Sequence, residues 1–182
     1  MMKVLGWSVL VLALAGCSAD PPDERPAPTS SPRPTEAPRP DRALQWAEVD
    51  PCALAVPDDL RGSANTVGLA HTDGPTRYCV WADRVTYPRL SIGVVGGASP
   101  LGQVYRDNAR WQRFRPVEVR GLPAVELANN PDGAGLCSVR VGSADGGLEV
   151  TAGADEGHAG EAQCPRALAV ADLVVGGRSA PR

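Results

Sequence analysis

Four cysteines, Cys52, Cys79, Cys137 and Cys164, follow a fifth, Cys17, that closes an apolar leader. The leader has the parts of a secretory signal: a positive start at Met1-Met2-Lys3, an apolar stretch from Val4 to Leu14, and small residues at Ala15-Gly16. Leu14-Ala15-Gly16-Cys17 reads as a lipobox, where a diacylglycerol joins the cysteine thiol and the chain is cut ahead of it. The apolar stretch is shorter than the roughly 18 residues that a membrane span needs. Export leaves the other four cysteines in an oxidising place, where an even set is expected to form two disulfides. Of three connectivities the expected one is Cys52–Cys79 with Cys137–Cys164, each joining a predicted helix start to a nearby predicted strand. A closed loop of about 27 residues contributes roughly 3.5 kcal/mol in the chain-entropy picture. Zinc is disfavoured, because no C-x-x-C pair exists and no histidine lies near these positions.

The leader divides the chain into a signal peptide at 1–16, a lipidated cysteine with a disordered tether at 17–40, and an extracytoplasmic domain at 41–182. Two acyl chains on Cys17 give stable attachment where one holds only marginally, since each buried CH₂ contributes about 0.8 kcal/mol. The expected location is therefore the extracytoplasmic face of the cell membrane, with the lipid anchor as the membrane partner. Eight of the 23 residues from Ser18 to Pro40 are proline. Such chain favours extended geometry, about 3.1 Å per residue, and a reach up to ~70 Å.

Removal of the leader takes away Lys3, the only lysine, and leaves seventeen arginines against 21 acids, a side-chain charge of −4. A nucleic-acid binder needs a basic surface, so that class is excluded. Only Phe114, three tyrosines and three tryptophans bring aromatic bulk to the domain, which predicts a modest core.

Asp50-Pro51 marks a helix start, with the aspartate as cap and proline at the first helical position, continued or followed by Val56–Leu60. A polar loop from Arg61 to Thr76 follows. Arg77–Asp83 and Arg89–Val95 read as strands about a turn at Tyr87-Pro88. Cys79 and Trp81 fall on one strand face, so the indole is expected near the first disulfide, in the core. Ser99-Pro100 opens a helix to about Phe114. Its apolar side carries Leu101, Val104, Tyr105, Asn108, Trp111 and Gln112, opposite an arginine stripe at Arg106, Arg110 and Arg113. That stripe reads as a solvated face, with an anion surface as the alternative. Val117–Arg120, Ala124–Ala128, Cys137–Val141 and Leu148–Thr151 read as strands. Turns are expected at Asn129–Gly133 and Ala144–Gly147. Glu161–Val175 reads as a helix ended by Gly176-Gly177. Strand runs joined by short turns favour one α+β domain, mainly an antiparallel sheet covered by helices.

Chemistry is sparse. His71 lies in His71-Thr72-Asp73-Gly74, where imidazole and carboxylate could pair, and His158 lies among Asp155, Glu156 and Glu161. The second group offers metal-ligand types but reads as a solvated loop before a helix. No G-x-S-x-G turn is present, and Gly96-Gly97-Ala98-Ser99 lacks the spacing of a phosphate-binding loop. No catalytic residue, cofactor or metal is therefore expected.

Asp50-Pro51-Cys52-Ala53-Leu54, Cys79-Val80-Trp81, Gly121-Leu122-Pro123-Ala124, Cys137-Ser138-Val139 and Cys164 before an alanine-rich helix resemble one family. It is the actinobacterial lipoproteins called domain of unknown function 3558. The likeness covers about Trp46 to Val175 and departs at Ala55-Val56, where that family more often has Leu and Thr. It implies an envelope location and paired cysteines, and brings no activity with it. The expected role is a non-enzymatic binding or accessory module that meets an envelope protein. The alternative is a carrier of a lipid or apolar small molecule, with Trp46, Trp81 and Trp111 lining its cleft.

Overall fold

Alternating small and β-branched residues make seven strands, and short turns stack them into one antiparallel sheet. The computed structural model describes residues 33–54, 56–57, 69–82, 88–154 and 162–179, apart from the side chains of Pro88, Arg89 and Ser179. The strands are β1 (Leu69–Asp73), β2 (Thr76–Ala82), β3 (Pro88–Gly96), β4 (Arg113–Val119), β5 (Leu122–Ala128), β6 (Leu136–Ser143) and β7 (Gly146–Gly153). Their order in the sheet is β1-β2-β3-β7-β6-β5-β4. Helix α1 (Leu101–Arg106) lies between β3 and β4, and α2 (Cys164–Ser179) follows β7. This is the expected α+β architecture with an antiparallel sheet.

The side-chain period of two gives the sheet two different faces. On the first face one cross-strand row runs Cys79, Ile92, Val150, Val139, Glu126 and Arg115. Over this face lie α2, through Ala167, Val170, Ala171, Val174 and Val175, and an irregular segment carrying Leu44, Trp46, Val49 and Val56. Both disulfides form on it as expected. Cys52–Cys79 ties the irregular segment to β2 and Cys137–Cys164 ties α2 to β6, with Cα–Cα distances of 4.9 and 5.0 Å. Trp81 is buried in the same core as Cys79. On the second face α1 places Leu101, Val104 and Tyr105 against Val125 and Leu127. Its approach depends on glycine, because a Cβ at Gly142 would stand 2.5 Å from Ser99 Oγ and one at Gly147 2.4 Å from Pro100 Cδ.

Two carboxylates organise the edges. Asp145, in the β6–β7 turn, accepts the Leu44 N–H at 2.9 Å, the Trp46 N–H at 3.3 Å, the Gln45 N–H and the Ser143 hydroxyl at 2.8 Å. These bonds seat Trp46, which is fully buried. Glu126 is fully buried too. Arg115 is its register partner on β4, and Arg113 lies two residues away on the same face. Both guanidiniums therefore converge on it, Arg113 Nη2 at 2.7 Å and Arg115 Nε at 2.7 Å.

Four sequence expectations change. The helix predicted from Ser99 to Phe114 ends at Arg106 and a 3₁₀ turn takes Asn108–Arg110. Arg113 and Phe114 instead pair with Ala128 and Leu127, so sheet pairing overrides the helical pattern and breaks the arginine stripe. The helix expected at Asp50 is one 3₁₀ turn, Pro51–Ala53, capped by Asp50 accepting the Cys52 N–H at 2.9 Å. Its continuation beyond Pro57 lies outside the described residues, as does the Tyr87 half of the expected turn. The loop expected before Arg77 contains β1, an exposed edge strand whose sequence has no apolar alternation to betray it. Finally, α2 runs through Gly176-Gly177 to Ser179. Its missing Cβ at Gly176 admits the Arg120 guanidinium, which forks onto Asp172 at 2.8 and 2.7 Å.

Replacing Cys137 and Cys164 together by alanine is expected to lower stability by about 2–5 kcal/mol, measured by urea denaturation. Burial works to raise the Glu126 pKa, but the hydrogen bonds from Arg115 and Arg113 outweigh it and hold the carboxyl below its ordinary value. The sign follows: the stabilisation is complete above the unfolded-state value and is lost as pH falls through the lower folded value. Glu126→Gln is expected to cost about 3 kcal/mol at neutral pH, near the lower end for a broken buried pair because Arg115 is half exposed. Thermal melts from pH 7 to pH 3 should also fall less steeply in that variant, the remaining slope including Asp145, whose pKa is likewise lowered.

Candidate functional site

The concavity with the most suitable chemistry lies where the incoming chain crosses the β4–β5 hairpin. Residues 33–40, read from sequence as the end of the tether, are laid on the domain. Arg33 donates from Nη1 to the Asn108 and Trp111 carbonyls at 2.9 and 2.6 Å, and from Nη2 to the Gln112 carbonyl at 3.0 Å. Asn108 Nδ2 donates back to the Pro34 carbonyl at 2.9 Å. Ala37 packs on the α1 cluster. Between residues 38–41 and the hairpin is a cleft of about 470 Å³, within the size range of small-molecule sites.

Proline rings wall the cleft, Pro38 and Pro40 on the strap, Pro116 and Pro123 on the hairpin, with Arg39, Asp41 and Glu118 bringing charge. Tyr105 reaches it from α1 and is 2% exposed. Its ring stands edge-on to Phe114, centroids 5.0 Å apart. Among the described residues no hydrogen bond is made to or from its hydroxyl. Burial raises its pKa above the ordinary tyrosine value, so the hydroxyl is protonated at neutral pH and can both give and accept a hydrogen bond. The hairpin turn is fixed by Arg120 and Gly121, both at positive φ (53° and 75°), the geometry of a tight two-residue turn. Such a site is suited to binding: flat apolar walls, one neutral hydroxyl and charges of both signs.

A second cavity, about 320 Å³, lies between Asn129-Asn130, Ala134–Leu136 and Gly153-Ala154. The part of the second sheet face beyond α1 is polar. There Ser138 bonds Thr151 at 2.7 Å, Arg140 pairs with Glu149 at 3.2 Å, and Tyr78 lies across Gly93.

The sequence candidates are dispersed. His71 is exposed on β1, not in a loop, with the Tyr78 ring 6.5 Å away and no hydrogen bond to Asp73. Trp46 and Trp81 fill the main core, and Trp111 packs half-buried on the α1 cluster, so none of the three lines either cavity. Cys17, His158 and the acids at 155, 156 and 161 lie outside the described residues. Sequence reasoning placed Tyr105 and Asn108 on the apolar side of α1 but gave neither a role. Arg33 carried no signal, being one of several arginines in proline-rich chain.

The family profile described as "Protein of unknown function (DUF3558)" matches residues 12–176. No curated protein and no solved structure matches the chain.

Tyr105→Phe removes the hydroxyl and keeps the ring, and since no internal hydrogen bond is lost, stability should change by less than about 0.5 kcal/mol. Tyr105→Ala should cost about 3–5 kcal/mol through the cavity it leaves. Chemical denaturation of the two variants separates a hydroxyl held for a ligand from one needed by the fold.

Proposed function

The chain belongs to the DUF3558 family, whose description assigns no activity, and we propose from its own residues that it is a lipid-anchored, extracytoplasmic binding or accessory module without catalytic function. The anchor rests on the lipobox and Cys17. The binding role rests on one observation, the buried, unpartnered Tyr105 hydroxyl lining a cleft of small-molecule size. A partner that fits is a small molecule or an envelope-protein segment with a flat apolar part and a hydrogen-bonding group. The apolar cavity near Leu136 favours a second reading, a carrier of a lipid or apolar small molecule. Native mass spectrometry of protein from its own envelope tests that reading, and a bare polypeptide mass in repeated preparations counts against it.

Cys17→Ala is expected to abolish labelling by an alkynyl fatty acid and to release the protein from the membrane fraction; equal labelling and retention would end the anchor reading. For binding, a photo-crosslinking residue at Pro123 should give a discrete adduct in the native envelope. The same residue at Leu173, exposed on α2, is the control. Matching patterns at the two positions would rule the cleft out as the site.

A further inference from the structure

The segment that carries the protein to its anchor is also a wall of the cleft. It is held at two places of different kinds. At Arg42 the chain is built into the domain: its carbonyl accepts the Ala144 N–H at 2.9 Å and its Nη2 donates to the Arg120 carbonyl at 2.8 Å. The next residues, 44–46, hang on Asp145. At the other end, Arg33 and Pro34 are held only through the Asn108 turn. Among the described residues no hydrogen bond ties residues 35–41 to the domain, and Ala37 alone packs on a core cluster.

We propose that residues 33–41 are a releasable latch over the cleft, closed by the Arg33 and Asn108 contacts and hinged at Arg42. The carbonyls at the end of a helical turn lack internal partners and favour a cation, so a guanidinium satisfies three of them at once. Those carbonyls can return to water when the strap leaves, because Trp111 is half-buried and Gln112 exposed. Pro34, Pro38 and Pro40 keep the strap extended in either state, which limits the chain entropy lost on closing. Opening removes one wall of the cleft and adds nine residues, ~28 Å at 3.1 Å per residue, to the tether's reach. Tension from the anchored side and occupancy of the cleft therefore act on the same contacts in opposite senses. That the latch regulates binding depends on the cleft being the site; the latch itself does not.

The test uses the mature lipidated protein in detergent and a protease that cuts after glutamate. Glu36 lies in the strap, and Glu24 in the tether serves as the internal reference. Cutting of a transiently opened segment follows the population of its open form. In the wild type, cleavage after Glu36 should be at least about tenfold slower than after Glu24, and Arg33→Ala should bring the two rates together without altering the melting temperature. Arg33→Lys, which keeps the charge but not the fork, should fall between. Equal rates at Glu36 and Glu24 in the wild type, or no change in Arg33→Ala, would overturn the latch. The adduct yield from the Pro123 crosslinker in Arg33→Ala tests the regulation separately. A changed yield supports it, and an unchanged yield beside faster Glu36 cleavage refutes control of the site while the latch stands.

Discussion

Everything on the first face of the sheet depends on keeping a thin cover in place. A seven-stranded sheet is covered there by a single long helix and an irregular segment with two 3₁₀ turns. Neither piece has a wholly apolar inner surface of its own: α2 alternates Ala, Val and Gly, and the irregular segment contributes one large side chain, Trp46. Burial of such small residues brings less transfer free energy than a layer of Leu and Phe. The two disulfides compensate by restricting the unfolded chain. They fall where the cover meets the sheet, one on β2 and one on β6, on either side of the paired β3 and β7. At Gly133 even a methyl group would stand 2.6 Å from the Cys164 sulfur, so the loop that braces the second disulfide is fitted to it.

The charged groups complete what the apolar ones leave unfinished. Removing a carboxylate from water is costly unless the charge is matched and its lone pairs are filled. Glu126 meets that condition with two arginines, and Asp145 with three backbone N–H groups and a serine. Their roles differ. Glu126 closes the β4 edge, where the core would otherwise meet water. Asp145 fixes the register between the incoming chain and the β6–β7 hairpin, and so decides where Trp46 enters.

What could be read from the sequence follows from how local the cause was. The disulfide pairing, the antiparallel sheet and the core position of Trp81 were legible because cysteine spacing, turn residues and two-residue periodicity lie close together in the chain. The errors came from long-range causes. Arg110–Phe114 has an acceptable helical pattern, yet pairing with β5 makes Arg113 and Phe114 strand. β1 is a strand only because β2 lies beside it. Gly176-Gly177 would end an isolated helix, but Arg120, 52 residues away from Asp172, holds that stretch from outside. The cleft was hidden for the same reason. Its walls come from the strap, α1 and the hairpin, and Tyr105 in sequence is one more apolar residue of a helix.

The placement of this cleft bears on why a tethered protein would keep part of its tether folded down. A flexible tether sets the local concentration of its cargo through its length, and the dependence is weak, since chain dimensions grow only as about the square root of residue number. A docked strap changes reach in a single step instead. That step is available only if the docked segment is held by few, solvent-reachable bonds at its far end and by many at its near end. Arg33 and Arg42 divide the segment in that way. A ligand seated between the strap and the hairpin would add contacts to the closed state alone, and any ligand that prefers one of two states must shift the balance toward it. Reach from the membrane and occupancy of the cleft are thus two readings of one equilibrium, fixed by the same few hydrogen bonds.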